Sequence, residues 1–430
     1  MASEHASTVR ERLRGTVART WRAVTADDLL THGGIVAAAT VVSGGLNYAF
    51  QLFMGRALPP EQYGVFGALF ALFYLVNVLG RGMRFSAARF VAGFDRTSAV
   101  ADFLRGALVR ALLVGGAIFA VLAGTSGVVG AFLGVDPHIV VVVGATIPPG
   151  LALTVTEGTL DGRQQFLALG GVQILKAAAK LLIAVPLVVV GFGVAGAFGA
   201  VAAALALTLV VATVALFRDF DATHDLGATF DYGRAYRYGG PAVLAGFCLA
   251  VPANADVIVV KHAFPATEAG MYTAASVLGK VLIFLPMGIS TALFPKVSAD
   301  HASAGTGRQR ALLVRGLGYA AALGGAGALA YWVAPRAILT LFFGEAYAAA
   351  APLLRWYGVA IVPFVLAVVV LNYQLARDRT GYVYVFAAGS LAEIGLIWAY
   401  HASMLQVVRL LAATNLVLFA VGLLAVKLEQ

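Results

Sequence analysis

Six ionisable side chains lie inside stretches of sequence that are otherwise apolar. They are Glu157, Lys176, Lys180, Asp256, Lys280 and Glu393. A charged side chain at the centre of a membrane helix costs about 2.5–3.5 kcal/mol on insertion scales. Such side chains therefore face a protein interior or a water-filled cavity, where they pair, bind ligands or move charge. The sequence marks these six as candidate functional residues.

The two lysines of one segment give the sharpest signal. Lys176 and Lys180 are one helical turn apart and share a helix face. Lys176 lies roughly 15 Å from the predicted cytoplasmic end of its helix, near the middle of a membrane. Glu157 is close to the inner end of the preceding segment, where a side chain that simply reaches water is an equal alternative.

The elements that carry these residues are long apolar segments. The chain is 60% hydrophobic and 12% charged, whereas soluble domains carry about 25% charge. Stretches of about 20 apolar residues cross ~30 Å of hydrocarbon as helices. We predict twelve such spans, at 33–55, 64–80, 107–124, 138–160, 167–190, 194–217, 241–263, 271–295, 311–334, 350–376, 381–400 and 406–426.

Basic residues alternate between the loops as membrane topology requires. With the N-terminus inside, twenty Lys and Arg fall in cytoplasmic segments and three in outer loops, and seven lie within or at the ends of spans. The pattern predicts twelve spans with both termini in the cytoplasm. The net charge of +9 then reflects topology, so no nucleic-acid partner is expected. Cys248 is the single cysteine, which rules out a disulfide within the chain.

A weak internal repeat suggests two similar halves. ALPPEQYGVFGA at 57–68 and AFPATEAGMYTA at 263–274 occupy the outer hairpins between spans 1 and 2 and between spans 7 and 8. Six spans separate them, so the copies have the same orientation in the membrane. The predicted fold is all-α and polytopic, with two parallel six-helix lobes around a central cavity. The predicted units are a basic cytoplasmic segment 1–31, an N-lobe 32–217, a linker 218–240 and a C-lobe 241–430.

Enzymatic motifs are weak in this sequence. The seven histidines have no metal-ligand spacing, so no metal site and no cofactor are predicted. GFGVAG at 191–196 has the residue spacing of a dinucleotide-binding fingerprint. That motif requires a preceding strand, whereas this one lies at a predicted turn between two spans, so we do not expect a nucleotide site. The loops are too short for a soluble catalytic domain. We therefore expect a protein that is not an enzyme.

Several stretches resemble polysaccharide-transporter proteins, the lipid-linked oligosaccharide flippases of the multidrug/oligosaccharidyl-lipid/polysaccharide exporter superfamily. The pattern R-x-L-P-x3-Y-G-x-F, from Arg56 to Phe66, is similar to their first hairpin. LGRGMRFSAARFVA at 79–92 is similar to their first cytoplasmic loop, and FFGEAYAAAAPLL at 342–354 to the segment before span 10. Residues 241–298 also match the pattern of their spans 7 and 8.

The resemblance implies alternating access in the cytoplasmic membrane of a prokaryote, carrying a lipid-(pyro)phosphate-linked oligosaccharide to the outer leaflet. Partners would be this substrate, membrane lipid, and H⁺ or Na⁺ as coupling ion. Two alternatives stay open. One is a cation-coupled multidrug antiporter, disfavoured because span 1 offers Ser43, Asn47 and Gln51 but no acid. The other is a glycan polymerase or ligase, disfavoured by the short outer loops.

Cations in the cavity would bind the anionic head group. The candidate substrate-binding residues are Arg56, Arg81, Arg84, Arg89, Lys176, Lys180 and Lys280. Arg81, Arg84 and Arg89 are expected on roughly one helix face at the inner entrance, and Arg56 at the outer exit. Asp256, Glu157 and Glu393 are candidates for coupling or a polar cluster. Asp256 and Lys280 are predicted to lie at equal depth in the membrane, either as an ion pair or within one polar cluster. An equal alternative is that their side chains point in different directions around their helices.

Overall fold

The computed structural model describes residues 28–220, 230–283, 306–377, 379 and 381–428. Every regular element in these ranges is a helix, which satisfies the backbone hydrogen bonds without water. The basic segment predicted over residues 1–31 lies almost wholly outside them.

Each of the twelve predicted spans coincides with helical residues. The first half contains Asp28–Ala57, Pro60–Val91, Thr97–Gly124, Pro137–Gly144 continued by Ile147–Gly162, Phe166–Leu187 and Gly193–Arg218. The second half contains Tyr232–Ala250 continued by Ala255–Ala263, residues 266–283, Thr306–Val333, Ala351–Leu375, Gly381–Ala399 and Met404–Leu428. Span 8 is described as far as residue 283.

Nine helices in the described ranges are long and apolar enough to cross a membrane, or ten if one bent pair counts as a single span. One of the nine covers 53 residues, Phe166–Arg218, which at 1.5 Å per residue is about 80 Å. This is more than twice the hydrocarbon thickness. The helix is broken at Gly191, where φ is 106°, and its two parts pack against each other. They are therefore two spans, 5 and 6, joined by a tight turn.

Span 7 differs from the prediction in where it begins and in being bent. It begins at Tyr232, nine residues earlier than expected, with the Asp231 side chain accepting from the Gly233 N–H at 2.9 Å. The extra residues are aromatic and basic, as is typical of a membrane interface, so hydropathy alone assigns them to the linker. The span also bends by 51° between Ala250 and Ala255, next to Pro252, which lacks an N–H donor.

Two short helices lie beside the spans at the end of the bundle that carries the 1–2 and 7–8 hairpins. We call this end the hairpin end, and the opposite end, where span 6 ends at Arg218 and span 7 begins at Tyr232, the linker end. The cap helix of the first half is Ser126–Leu133, followed by Gly134 with φ 60°. The cap helix of the second half is Pro335–Phe343, followed by Gly344 with φ 100°.

Glycines allow the spans around span 2 to approach closely. A Cβ at Gly158 of span 4 would lie 2.4 Å from the Arg84 carbonyl oxygen, and one at Gly82 of span 2 would lie 2.8 Å from the Gly239 carbonyl oxygen of span 7. Within a membrane, such close van der Waals contact replaces the hydrophobic effect as the main attraction between helices. Span 2 thereby packs against both halves of the chain.

The turn between spans 5 and 6 gives a test of backbone strain. Gly191→Ala should destabilise the protein by about 1–3 kcal/mol, because a Cβ is disfavoured at φ 106° although no atom lies within 4 Å of it. Gly199→Ala, in the second turn of span 6 with equally open space, should be neutral or stabilising. Thermal unfolding in detergent compares the two. Equal losses for both variants would contradict a strained turn.

Candidate functional site

Four charged side chains from three spans form one ionic cluster in the first half. Glu157 Oε1 accepts from Lys176 Nζ at 2.5 Å and Glu157 Oε2 from Arg84 Nη1 at 3.2 Å. Arg84 Nε also donates to Asp161 Oδ2 at 2.7 Å. Glu157 therefore does not reach for water but links spans 2, 4 and 5.

Burial decides what this cluster can do. The Glu157 side chain is 4% exposed, whereas those of Arg84 and Lys176 are 30% and 34% exposed. Two cations face two carboxylates, so the cluster carries no net charge. Both candidate ligand cations are partly exposed but already bound to acids, and an anionic ligand would compete with those carboxylates.

Lys180 has different surroundings. Its ammonium donates to Asn47 Oδ1 of span 1 and lies 4.4 Å from the ring centre of Phe50 and 5.8 Å from that of Phe70. Aromatic faces attract a cation, and none of the acids in the described ranges pairs with this one. Asn47 is ten residues from the end of span 1, so the site lies about 15 Å from the hairpin end.

The three arginines of span 2 do not share a face. The helix continues to Val91, which includes all three. Arg84 turns towards span 4, whereas the side chain of Arg81 lies beside Gly246 of span 7. Arg89 is exposed in the last turn. The sequence predicts their depth, but which neighbour each one faces depends on packing.

A second polar cluster lies in the second half, around Asp256. Asp256 Oδ2 accepts from the hydroxyls of Tyr272, at 2.9 Å, and Tyr357. Asp256 Oδ1 is buried without a hydrogen-bond partner. Lys280 is therefore not bound directly to Asp256. It lines a cavity of about 10 Å³ with Tyr357, whose hydroxyl donates to Asp256.

Other members of this region lie on spans 11 and 12. Glu393 Oε2 accepts from the Thr414 hydroxyl at 2.7 Å, and Glu393 is 1% exposed. Asn415 lines the same small cavity as Lys280, and its Oδ1 is buried without a partner. In the described ranges, no group of three or more His, Cys, Asp or Glu is placed to hold a metal ion.

The two repeated hairpins contact each other directly. The Thr267 hydroxyl donates to Glu61 Oε1 at 2.7 Å, and these residues are 206 positions apart. The same separation relates Gly64 to Gly270, where a Cβ on Gly64 would lie 2.7 Å from the Gly270 nitrogen. It also relates Gly67 to Thr273, which occupies the space of a Gly67 side chain.

A residue contacts its own counterpart only where a two-fold axis passes. The three pairs recur every three residues along spans 2 and 8, so these helices cross at such an axis. The repeat in the sequence, at the same offset, is thus matched by two-fold related contacts in the structure.

A further pair of contacts ties the halves together at this end. Arg56 Nε donates to the Phe342 carbonyl oxygen at 3.0 Å, and His262 Nδ1 lies 2.7 Å from the Phe132 carbonyl oxygen. Arg56 and His262 hold equivalent places in the repeat, and each reaches the last turn of the other half's cap helix. We call these two contacts the cap ties. Because carbonyl oxygens only accept, His262 Nδ1 carries the proton.

Packing around the cap ties leaves little space between the halves. His262 stacks on Phe132 with ring centres 4.0 Å apart and on Trp398 at 5.4 Å. On the equivalent side, Phe343 covers Gly55 so closely that a Cβ there would lie 2.1 Å from the ring. The hairpin end is therefore closed. Sequence reasoning missed His262, although the 206-residue offset from Arg56 would have indicated it.

Comparisons with known proteins agree on the fold. The family model described as "Polysaccharide biosynthesis protein" matches residues 53–352. An inward-facing multidrug resistance MATE family transporter of the MOP superfamily is similar over 91% of this chain and 98% of its own, with a TM-score of 0.76 and 14% identity. Lipid II flippase MurJ, in its inward closed conformation, is similar over 91% of this chain and 87% of its own, with a TM-score of 0.75 and 13% identity. No curated protein sequence matches.

The family match covers well over half of the chain, so the protein belongs to the polysaccharide biosynthesis protein family. The structural matches show the fold: the chain is a polytopic, all-α membrane protein with the architecture of MOP-superfamily members.

The Glu157 cluster is expected to contribute to stability. Glu157→Gln should destabilise the protein by less than the ~3–5 kcal/mol of a fully buried broken pair, because Arg84 and Lys176 stay partly hydrated. Asp161→Asn, at a carboxylate that is 25% exposed, should cost less. Thermal unfolding measures both. A larger loss for Asp161→Asn would contradict the central place of Glu157.

The close approach at the two-fold axis can be tested by a wedge. A Cβ at Gly270 would lie 1.9 Å from the Pro60 carbonyl oxygen, so Gly270→Ala should force the hairpins apart. Opening of the hairpin end is measured in a protein that carries Cys248→Ser and Thr273→Cys. Thr273 is buried, so a cysteine there reacts with an impermeant maleimide only when the hairpins separate. Labelling should rise at least severalfold. Gly318→Ala, with open space around it, is the control, and equal labelling in both would refute the closed contact.

Proposed function

We propose that the protein moves a lipid-(pyro)phosphate-linked oligosaccharide from the cytoplasmic to the outer leaflet by alternating access between an N-lobe (32–217) and a C-lobe (241–430). Membership of the polysaccharide biosynthesis family carries the proposal. In the proposed orientation the hairpin end faces outwards and both termini lie in the cytoplasm of a prokaryote, as the distribution of basic residues favours.

The proposed route consists of cationic side chains at successive depths in the membrane. Arg81 and Arg89 meet the head group at the linker end. Lys180 binds it near mid-membrane, because this lysine pairs with no acid in the described ranges and donates to Asn47. The head group also interacts with three cations that lie close to acids. Arg84 and Lys176 are bound to Glu157, and Lys280 lies near the Asp256 cluster. Arg56 is occupied by the cap tie and becomes available to the head group only when the hairpin end opens.

A second candidate function is cation-coupled export of a drug. The observation that favours it is Asp256, whose Oδ1 is buried without a hydrogen-bond partner and whose Oδ2 accepts from Tyr357, a residue that lines the cavity with Asn415. In the flippase proposal, the same Asp256 cluster, with Glu393, is the site at which H⁺ or Na⁺ couples to transport.

Reconstitution in liposomes tests the proposal. Lys180→Met should reduce movement of a labelled lipid-linked oligosaccharide to the opposite leaflet by about tenfold or more, equivalent to ~1.4 kcal/mol of lost head-group binding. Lys180→Arg should retain much of the rate because it keeps the charge. Lys427→Met, at an exposed lysine in the last turn of span 12, is the control.

Two outcomes would overturn parts of this proposal. A Lys180→Met protein with the wild-type melting temperature and the wild-type flipping rate would remove Lys180 from the route. Efflux of a cationic dye, without glycan movement by the wild-type protein, would replace the flippase by the antiporter.

A further inference from the structure

An apolar crevice lies at the seam of the two halves, and none of the residues of the two polar clusters lines it. It has a volume of about 260 Å³ and lies between spans 2 and 3 of the first half and span 7 of the second. Its walls include Leu79, Met83, Ala107, Val114 and Val243. These residues lie in membrane-spanning helices, and Val114 is exposed. An exposed apolar crevice between membrane-spanning helices is suited to a hydrocarbon chain.

A layered stack of three side chains forms one edge of the crevice. The Arg110 guanidinium lies 3.7 Å from the ring centre of Tyr232, and Tyr232 stacks on Phe103 at an angle of 11°. The Tyr232 hydroxyl donates to the Phe103 carbonyl oxygen at 3.0 Å. This approach requires Gly106, because a Cβ there would lie 2.1 Å from the hydroxyl oxygen. The stack therefore holds Arg110 in one orientation across the seam.

Arg110 retains donors for a ligand. Its Nη1 donates to the Gly106 carbonyl oxygen at 3.0 Å, and a guanidinium has five N–H donors. Arg110 is exposed, and no acid in the described ranges forms an ion pair with it. A guanidinium stacked on an aromatic ring keeps its planar edge free, and that edge matches the oxygens of a phosphate.

Depth distinguishes a lipid from a soluble anion. Arg110 is fourteen residues from the end of span 3 at Gly124, about 21 Å from the hairpin end of that helix. Tyr232 begins span 7 at the linker end. Tyrosine is typical of the boundary between hydrocarbon and head groups, and the long side chain of Arg110 extends towards the same level, where its guanidinium stacks on Tyr232. A ligand that fills the apolar crevice and also reaches Arg110 has a hydrocarbon chain attached to an anionic head group.

We propose that this crevice is a binding site for an anionic phospholipid of the bilayer, with one acyl chain between spans 3 and 7 and its phosphate on Arg110. None of the candidate residues of the proposed transport route lines this site. Its walls come from both halves, next to the contact of Gly82 with Gly239, so a bound lipid holds the halves together at the linker end.

Lipid retention by the purified full-length protein tests this proposal. Native mass spectrometry should show retention of phosphatidylglycerol over phosphatidylcholine with the same chains, together with a higher melting temperature in phosphatidylglycerol. Arg110→Gln should lower the preference about tenfold, as expected from ~1.4 kcal/mol of charge-assisted hydrogen bonding. Arg218→Gln, at an exposed arginine at the end of span 6, should keep the preference. An unchanged preference in Arg110→Gln would refute the site.

A second variant tests the chain-binding part without changing charge. Gly240 lines the crevice, and a Cβ there meets no atom within 4 Å, so Gly240→Leu places an apolar side chain where the proposed acyl chain would lie. It should weaken retention of both phospholipids. Full retention by Gly240→Leu would show that no chain enters the crevice. Arg110-dependent retention of a prenyl diphosphate, with none of phosphatidylglycerol, would replace the phospholipid by the lipid carrier of the transported glycan.

Discussion

The close approach of two helix backbones at Gly64 and Gly270 is the contact around which the halves are arranged. A side chain at either position would overlap backbone atoms of the other hairpin. Helices in a membrane gain little from excluding water from one another, so close packing at small residues supplies much of their attraction. At the hairpin end this contact joins two halves of one chain, and a glycine is the residue that permits it.

The cap ties add two hydrogen bonds between the halves, one on each side of the two-fold axis. The carbonyl groups in the last turn of a helix lack intrahelical partners and form its negative end. Arg56 and His262 both donate to such groups, so the two sides of the axis use the same interaction with different residue types. A two-fold relation is thus present in the chemistry of the contact although the residue types at the two positions differ. The ties are made and broken together if the halves rock, because both cross the same seam.

Electrostatics distinguishes the two halves. In the first half, the Glu157 cluster neutralises itself, which lowers the cost of placing four charges among apolar helices. Lys180 is left with an amide and two aromatic rings as its neighbours. In the second half, Asp256 is surrounded by tyrosine hydroxyls and keeps one oxygen without a partner. A buried group with unsatisfied bonding capacity is costly, and such groups mark where a protein can bind or exchange charge.

The sequence by itself determined the class of the protein, the approximate positions of the helical segments in the described ranges and the register of the repeat. Hydrophobic length and the placement of basic residues are properties of the chain and require no knowledge of packing. They fail where residues belong to the interface, as at Tyr232, because aromatic and basic side chains there resemble a loop in hydropathy. Only the tertiary structure decided which charges meet. Glu157 binds Lys176 and Arg84, whereas Asp256 binds two tyrosines instead of Lys280. The physical reason is that depth along a helix follows from sequence position, whereas the direction of each side chain depends on how the helices rotate and cross.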